Sequence, residues 1–230
     1  MRLAAGGARS MSRQDGQCRK EMICMNDFQM PTDAGRPLVS GSLEVVCGPM
    51  FSGKSEELIR RMKRVQISGK KFVIFKPSID TRYDATHVVS HDQRKLEAVI
   101  TGISADAIGE IRRIIIEKNP EVVAFDEIWM YDDGIVDFVL ECVRQGRRVV
   151  AAGLDTDFRG EPFPNMARLL AHADFVDKLK AICIKCKDRE AVMTQRLIDG
   201  MPAKYGDPTI VVGAAEMYEA RCRDCHEIKD

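Results

Sequence analysis

Gly48-Pro49-Met50-Phe51-Ser52-Gly53-Lys54-Ser55 matches G-x-x-x-x-G-K-S, and the match occurs once in the chain. Its flanks give it meaning. Leu43 to Cys47 is a short apolar run, and Leu58, Met62 and Val65 recur at helical spacing beyond the loop. Strand, glycine-rich loop and helix in that order form the setting in which such a loop wraps an anion with backbone N–H groups. The helix beginning near Lys54 adds about half a positive charge at its N-terminus. Lys54 is placed to reach β- and γ-phosphates, and Ser55 to ligate Mg²⁺.

Further along, Phe72 to Phe75 is a second strand. Ile103 to Lys118 is helical, with Ile108, Ile111 and Ile115 on one side and Pro120 just past its end. Val122 to Phe125 is a continuous apolar run, as expected of a strand buried on both faces, and it delivers Asp126-Glu127 at its C-terminal end. Asp132 and Asp133 can cap the next helix, whose apolar positions Ile135, Val136, Val139, Leu140 and Val143 run to a stop at Gly146. Val149 to Leu154 is another strand. This alternation predicts an α/β fold of the P-loop, RecA-like kind: a parallel sheet flanked by helices, with ligands beyond the carboxyl ends of the strands.

Asp126-Glu127 occupies the Walker-B position, where one carboxylate holds Mg²⁺. Side chains alternate along a strand, so while the chain stays extended only one of the two can face the metal. The other addresses something else, and Glu127 is the candidate general base. An ATPase in which Glu127 polarises water would suit the same pair.

Two C-x-x-C pairs, Cys183/Cys186 and Cys222/Cys225, supply four thiolates, the set that closes a tetrahedral structural Zn²⁺ site. His226 is an alternative ligand to Cys225. The 35 residues between the pairs, 187–221, exceed the spacing of about 15 to 20 common in zinc ribbons. The metal therefore staples the base of a long excursion, a candidate substrate lid. Apolar stretches shorten after about residue 180, which divides the chain into a P-loop domain, 41–180, and a smaller zinc-binding domain, 181–230.

Composition bounds what else the chain can be. Its 230 residues contain 35 Lys and Arg against 35 Asp and Glu, so the formal net charge is zero and no long-range field recruits nucleic acid or an anionic membrane. The longest uncharged apolar stretch, Val45 to Phe51, is far short of the about 20 residues that span a bilayer. Eight cysteines, four of them in metal-type pairs, point to a reduced, cytoplasmic setting. Cys47 and Cys142 sit in apolar runs as small core residues, whereas Cys18 and Cys24 receive no role. Residues 1–40 are polar and read as a disordered extension, or as sequence upstream of a true start at Met11, Met22, Met25 or Met30. The basic run Arg60, Arg61, Lys63 and Arg64 reads as a solvated helix face.

A P-loop followed by Asp-Glu and a zinc-tied loop resembles the type II thymidine kinases, the zinc-containing cytosolic and bacterial group, from about Gly41 to Glu227. Besides the P-loop, Asp80-Thr81-Arg82-Tyr83, His91-Asp92, Leu154 to Phe163 and Thr194-Gln195-Arg196-Leu197 are similar to that family. So is Val211-Val212-Gly213, followed by Glu216-Met217-Tyr218, which is similar to its nucleoside-holding loop. The resemblance implies ATP-dependent phosphorylation of the thymidine 5′-hydroxyl, with Glu127 taking the proton. On the ATP and Mg²⁺ side it implies Gly48 through Ser55, Asp80 and Asp126. Around the nucleoside it implies Met50, Phe158, Phe163, Thr194, Arg196, Val211, Gly213 and Tyr218. It also implies a cytoplasmic homotetramer inhibited by thymidine triphosphate.

The chain departs from the family after Asp-Glu. A small residue, Gln and an aromatic pair are usual there, and Ile128-Trp129-Met130-Tyr131 stands in their place. Met130 exchanges stacking for a flexible thioether, which bears on affinity and on discrimination against deoxyuridine more than on reaction type. Trp129 fits packing and stacking equally. A second class of function, a nucleotide-switched ATPase whose zinc knuckle grips protein or single-stranded nucleic acid, calls for interleaved aromatic and basic residues on the knuckle. The sparse aromatic content of 187–221 favours the kinase.

Overall fold

A computed structural model describes residues 41–79, 87–89, 95–209 and 218–230, with backbone alone at 87–89 and 95. The elements in chain order are β1 (Ser42–Cys47), α1 (Lys54–Ile67), β2 (Phe72–Pro77), β3 (His87–Val89), β4 (Lys95–Glu97), β5 (Val99–Thr101), α2 (Ala105–Lys118) and β6 (Val122–Phe125). A 3-10 turn (Ile128–Met130) follows, then α3 (Gly134–Arg144), β7 (Arg148–Gly153), α4 (Pro164–His172) and β8 (Phe175–Lys178). The last part holds β9 (Ala181–Ile182), β10 (Glu190–Ala191), β11 (Met193–Ile198), β12 (Met201–Pro202) and β13 (Tyr218–Arg221).

Six strands form one parallel sheet in the order β5-β2-β6-β7-β1-β8. The four inner strands alternate between two apolar layers because successive side chains point to opposite faces. Val45, Cys47, Val73, Phe75, Val123, Phe125, Val149 and Ala151 pack on one face against Ile111 and Ile115 of α2, Ile135, Val136 and Val139 of α3, and Met166 and Leu169 of α4. Val46, Ile74, Val122, Ala124, Val150 and Ala152 face the other way, onto Leu58, Ile59, Met62 and Val65 of α1. Helices on both faces explain why these strands read as unbroken apolar runs. Cys47 and Cys142 lie in this core, and burial pushes both thiols up to about 11.

The parallel α/β fold expected from the sequence is the one observed. Two local expectations need correction. Arg61 is not part of a solvated face: it is buried, donating to Glu57 at 2.8 Å and to Glu44 at 2.7 Å, and it also pairs with Asp177. Those acidic residues lie on α1, β1 and β8, so the guanidinium fastens the helix to the sheet edge. The start of α3 is capped by Asp132 alone, whose Oδ1 accepts the Gly134 N–H at 3.1 Å; Asp133, at the N-cap position, makes no side-chain cap bond.

The C-terminal strands make two small antiparallel sheets, β10-β9 and β12-β11-β13. Gln195 of β11 binds the chain end on one side of the strand: its Nε2 donates to the Glu227 carbonyl and its Oε1 accepts the Glu227 N–H, each at 2.8 Å. Its neighbours Thr194 and Arg196 face the opposite way, toward the P-loop and the turn after β7.

Candidate active site

The loop between β1 and α1 is shaped by three positive backbone angles, Gly48 at φ 141, Phe51 at φ 64 and Gly53 at φ 84. Gly48 also lies under the chain leaving β8, so close that a Cβ would stand 2.3 Å from the Leu179 carbonyl oxygen. Gly53 ends the loop in the left-handed region at the N-cap of α1, where no side chain caps the helix. The first-turn N–H groups of a helix are intrinsically unsatisfied and suit an anion. Inside the loop, Lys54 Nζ donates to the Pro49 carbonyl at 2.7 Å and Ser52 Oγ to the same oxygen at 2.8 Å. Ser55 follows in the first turn of α1.

β7 lies between β1 and β6, so the acidic pair stands two strands from the P-loop strand at the same end of the sheet. Asp126 and Glu127 are both buried. The alternation argument for their directions does not hold at Glu127, because β6 ends at Phe125 and Glu127 has φ 47 and ψ 43. A left-handed backbone re-aims this side chain independently of the strand. Its Oε2 accepts a hydrogen bond of 2.5 Å from Trp129 Nε1. Trp129 also stacks on Phe163, with ring centroids 4.2 Å apart and planes 30° from parallel.

Phe163 ends a tight turn after β7. Thr156 bridges Pro162, the Phe163 N–H donates to the Asp155 carbonyl at 3.1 Å, and Asp157 Oδ1 accepts the N–H groups of Arg159 at 2.8 Å and Glu161 at 3.0 Å. Phe158 at the other side of this turn is buried, and the guanidiniums of Arg159 and Arg196 each lie 5.6 Å from its ring centre. Arg196 also donates to the Pro208 carbonyl and lies opposite Tyr218 in the β11–β13 register. Thr194, two residues earlier on the same face of β11, accepts the Met50 N–H through Oγ1 at 3.1 Å.

Two sets of contacts, Glu127 with Trp129 and Phe163, and Phe158 with Arg196, meet in the turn after β7, and Thr194, on the same strand face as Arg196, ties β11 to Met50 in the P-loop. Most of the residues named from sequence are thereby brought together. Asp80, Val211 and Gly213 lie outside the described residues. Two contributions escaped sequence reasoning. Trp129 touches the candidate base directly, and a donor-bearing side chain two residues past a Walker-B glutamate was the available signal. Asp157 organises the turn, and Asp-x-Arg-Gly-Glu, a carboxylate followed by main-chain donors at a tight glycine turn, was its signal.

The four sulfurs of Cys183, Cys186, Cys222 and Cys225 lie within 4.8 Å of one another, a donor set suited to zinc. Burial opposes ionisation of Cys183, but main-chain N–H groups of Cys186 and Cys222 donate to its sulfur and bring the thiol down to about 6. A hydrogen bond with Cys222, reinforced by burial, pushes Cys225 up to about 12. Four crowded thiols cannot all ionise unless a cation joins them, and a thiolate-bound metal supplies that charge. His226 is outside the cluster; its Nε2 lies 2.8 Å from the Phe158 carbonyl oxygen and ties the knuckle to the turn.

A parallel sheet carrying a G-x-x-x-x-G-K-S loop, with an acidic pair two strands away, defines a P-loop nucleotide-binding protein. A family model described as thymidine kinase matches residues 41–226, and the chain belongs to the thymidine kinase family. As a kinase family it implies ATP as phosphate donor. Among solved structures, the X-ray structure of the Legionella pneumophila ATPase DotB is similar at 19% identity and a TM-score of 0.36, over 60% of this chain and 35% of that one. No helix among the described residues is long and apolar enough to cross a membrane.

Proposed function

We propose that this protein is an ATP:thymidine 5′-phosphotransferase. The observation that supports this most is the buried Glu127 carboxylate, re-aimed by its left-handed backbone at the sheet end that also carries the P-loop. In this reading Glu127 accepts the proton of the 5′-hydroxyl as it attacks the γ-phosphorus, and the P–O bond to ADP breaks. The N–H groups of Gly48 to Ser55 and the ammonium of Lys54 hold the phosphates. Ser55 and Asp126, with Asp80, would hold Mg²⁺, which when bound neutralises phosphate charge. Met50, Phe158, Phe163, Thr194, Arg196 and Tyr218, with Val211 and Gly213, would surround thymidine.

The division into a P-loop domain at 41–180 and a zinc-binding domain at 181–230, a cytoplasmic setting and a homotetramer belong to the same proposal. Catalysis in this class is positioning plus electrostatics, so loss of the base should fall on the chemical step. Glu127→Gln should bind ATP within about threefold of wild type and lose at least ~100-fold in kcat for thymidine. Radiolabelled ATP offered with a panel of deoxynucleosides measures both the loss and the preferred acceptor. Substantial thymidine phosphorylation by Glu127→Gln removes the base assignment, and a panel in which thymidine gains no phosphate overturns the substrate.

A further inference from the structure

We infer that Trp129 is a positioning residue that holds the Glu127 carboxylate in its working direction. The inference rests on Glu127 being the general base.

The local chain makes the contact. Glu127 leaves β6 with a left-handed backbone, and the 3-10 turn that follows closes through the Met130 N–H donating to the Glu127 carbonyl at 3.1 Å. That turn carries residue 129 back over residue 127, and the indole Nε1–H meets Glu127 Oε2 at 2.5 Å. A hydrogen bond to a carboxylate is charge-assisted and about twice as strong as a neutral one. Indole is a donor only, so it orients the carboxylate without competing for the substrate proton.

The indole is fixed by two other elements. Phe163, at the start of α4, stacks on it with centroids 4.2 Å apart. At the end of β7, Gly153 leaves the room the ring needs: a Cβ there would stand 2.8 Å from Trp129 Cδ1. The carboxylate, the indole and the phenyl ring thus form a relay across three separate elements. Gly153 is needed for its lack of a side chain, and Trp129 for its N–H, which no phenylalanine supplies. Because Phe163 is also a candidate wall of the nucleoside pocket, the relay sets the base relative to the acceptor.

Trp129→Phe keeps an aromatic ring on Phe163 and removes the N–H. It should lower kcat about 10- to 100-fold, as misplacement of a reacting group by about 1 Å does, and leave KM for ATP and thymidine within about twofold. Trp129→Gln, which returns an N–H donor, should recover part of kcat. In the Glu127→Gln background, Trp129→Phe should cost little more, because its effect passes through the carboxylate.

Trp129 is the only tryptophan in the chain, so its emission reports the contact without substrate. Emission should shift between wild type and Glu127→Gln. Unchanged kcat in Trp129→Phe with Glu127→Gln inactive would overturn the positioning role alone, as would superimposable emission spectra. An active Glu127→Gln would instead remove the base assignment on which the role depends.

Discussion

At residue 127 the backbone takes a conformation that a side-chain-bearing residue adopts only at a cost of about 1–3 kcal/mol. Glutamate holds it between a fully buried strand and a one-turn helix. Gly48 meets a related demand with no side chain at all. Gly48→Ala would press a methyl group on the Leu179 carbonyl while φ stays near 141, so we expect a loss of at least ~2 kcal/mol in stability and weaker ATP binding. Gly109→Ala is the contrast: it lies exposed on α2 with nothing near its Cβ position, and it should gain about 0.5–1 kcal/mol. Urea melts of the two variants measure both signs. What was illegible at this scale was direction. The sequence placed Asp126-Glu127 at a strand end, yet strand alternation has no force once the strand stops at Phe125.

Among the elements, those with strong patterns were legible. β1, β2, β6 and β7 are apolar because helices cover both faces, and α2 and α3 show one apolar stripe each. β8 escaped notice because all four of its residues, Phe175 to Lys178, are exposed and carry no burial pattern. Arg61 was misplaced for a related reason: burial of a cation depends on acidic partners from two other elements, and one of them, Asp177, lies 116 residues away.

The same helix predicts a pH dependence. Hydrogen bonds from Arg60, then Arg61, hold the Glu57 carboxyl down at about 2. A carboxylate depressed below its unfolded value stabilises the fold fully above that value, and the contribution disappears as pH falls through the folded pKa. Glu57→Gln should therefore be less stable than wild type at pH 6, and the gap should close between about pH 4.5 and pH 2. Chemical denaturation at four pH values across that window tests the closing; a gap constant with pH would assign the effect to packing.

On the scale of the whole molecule, the C-terminal strands meet the P-loop and the turn after β7 through several contacts, among them His226 at the Phe158 carbonyl and Thr194 at the P-loop main chain of Met50, beside Arg196 over the Phe158 ring. The four-thiol site was legible from spacing alone, whereas these joints were not, since neither a lone histidine nor a strand threonine announces its partner. Chelation should strip about one metal per chain and lower the melting temperature by more than about 5 °C, because structural zinc sites are coupled to folding. Metal-free protein of equal stability would contradict this.

The Thr194 bond carries the matter further. The Thr194 hydroxyl joins β11, the strand after Cys186, to the loop that would clasp triphosphate, so ATP and a metal on the four thiols would be coupled when both are bound. By reciprocity, whatever ATP gains from an intact knuckle the knuckle gains from ATP. Saturating nucleotide should slow the escape of zinc to a chelator, and Thr194→Val should erase that protection.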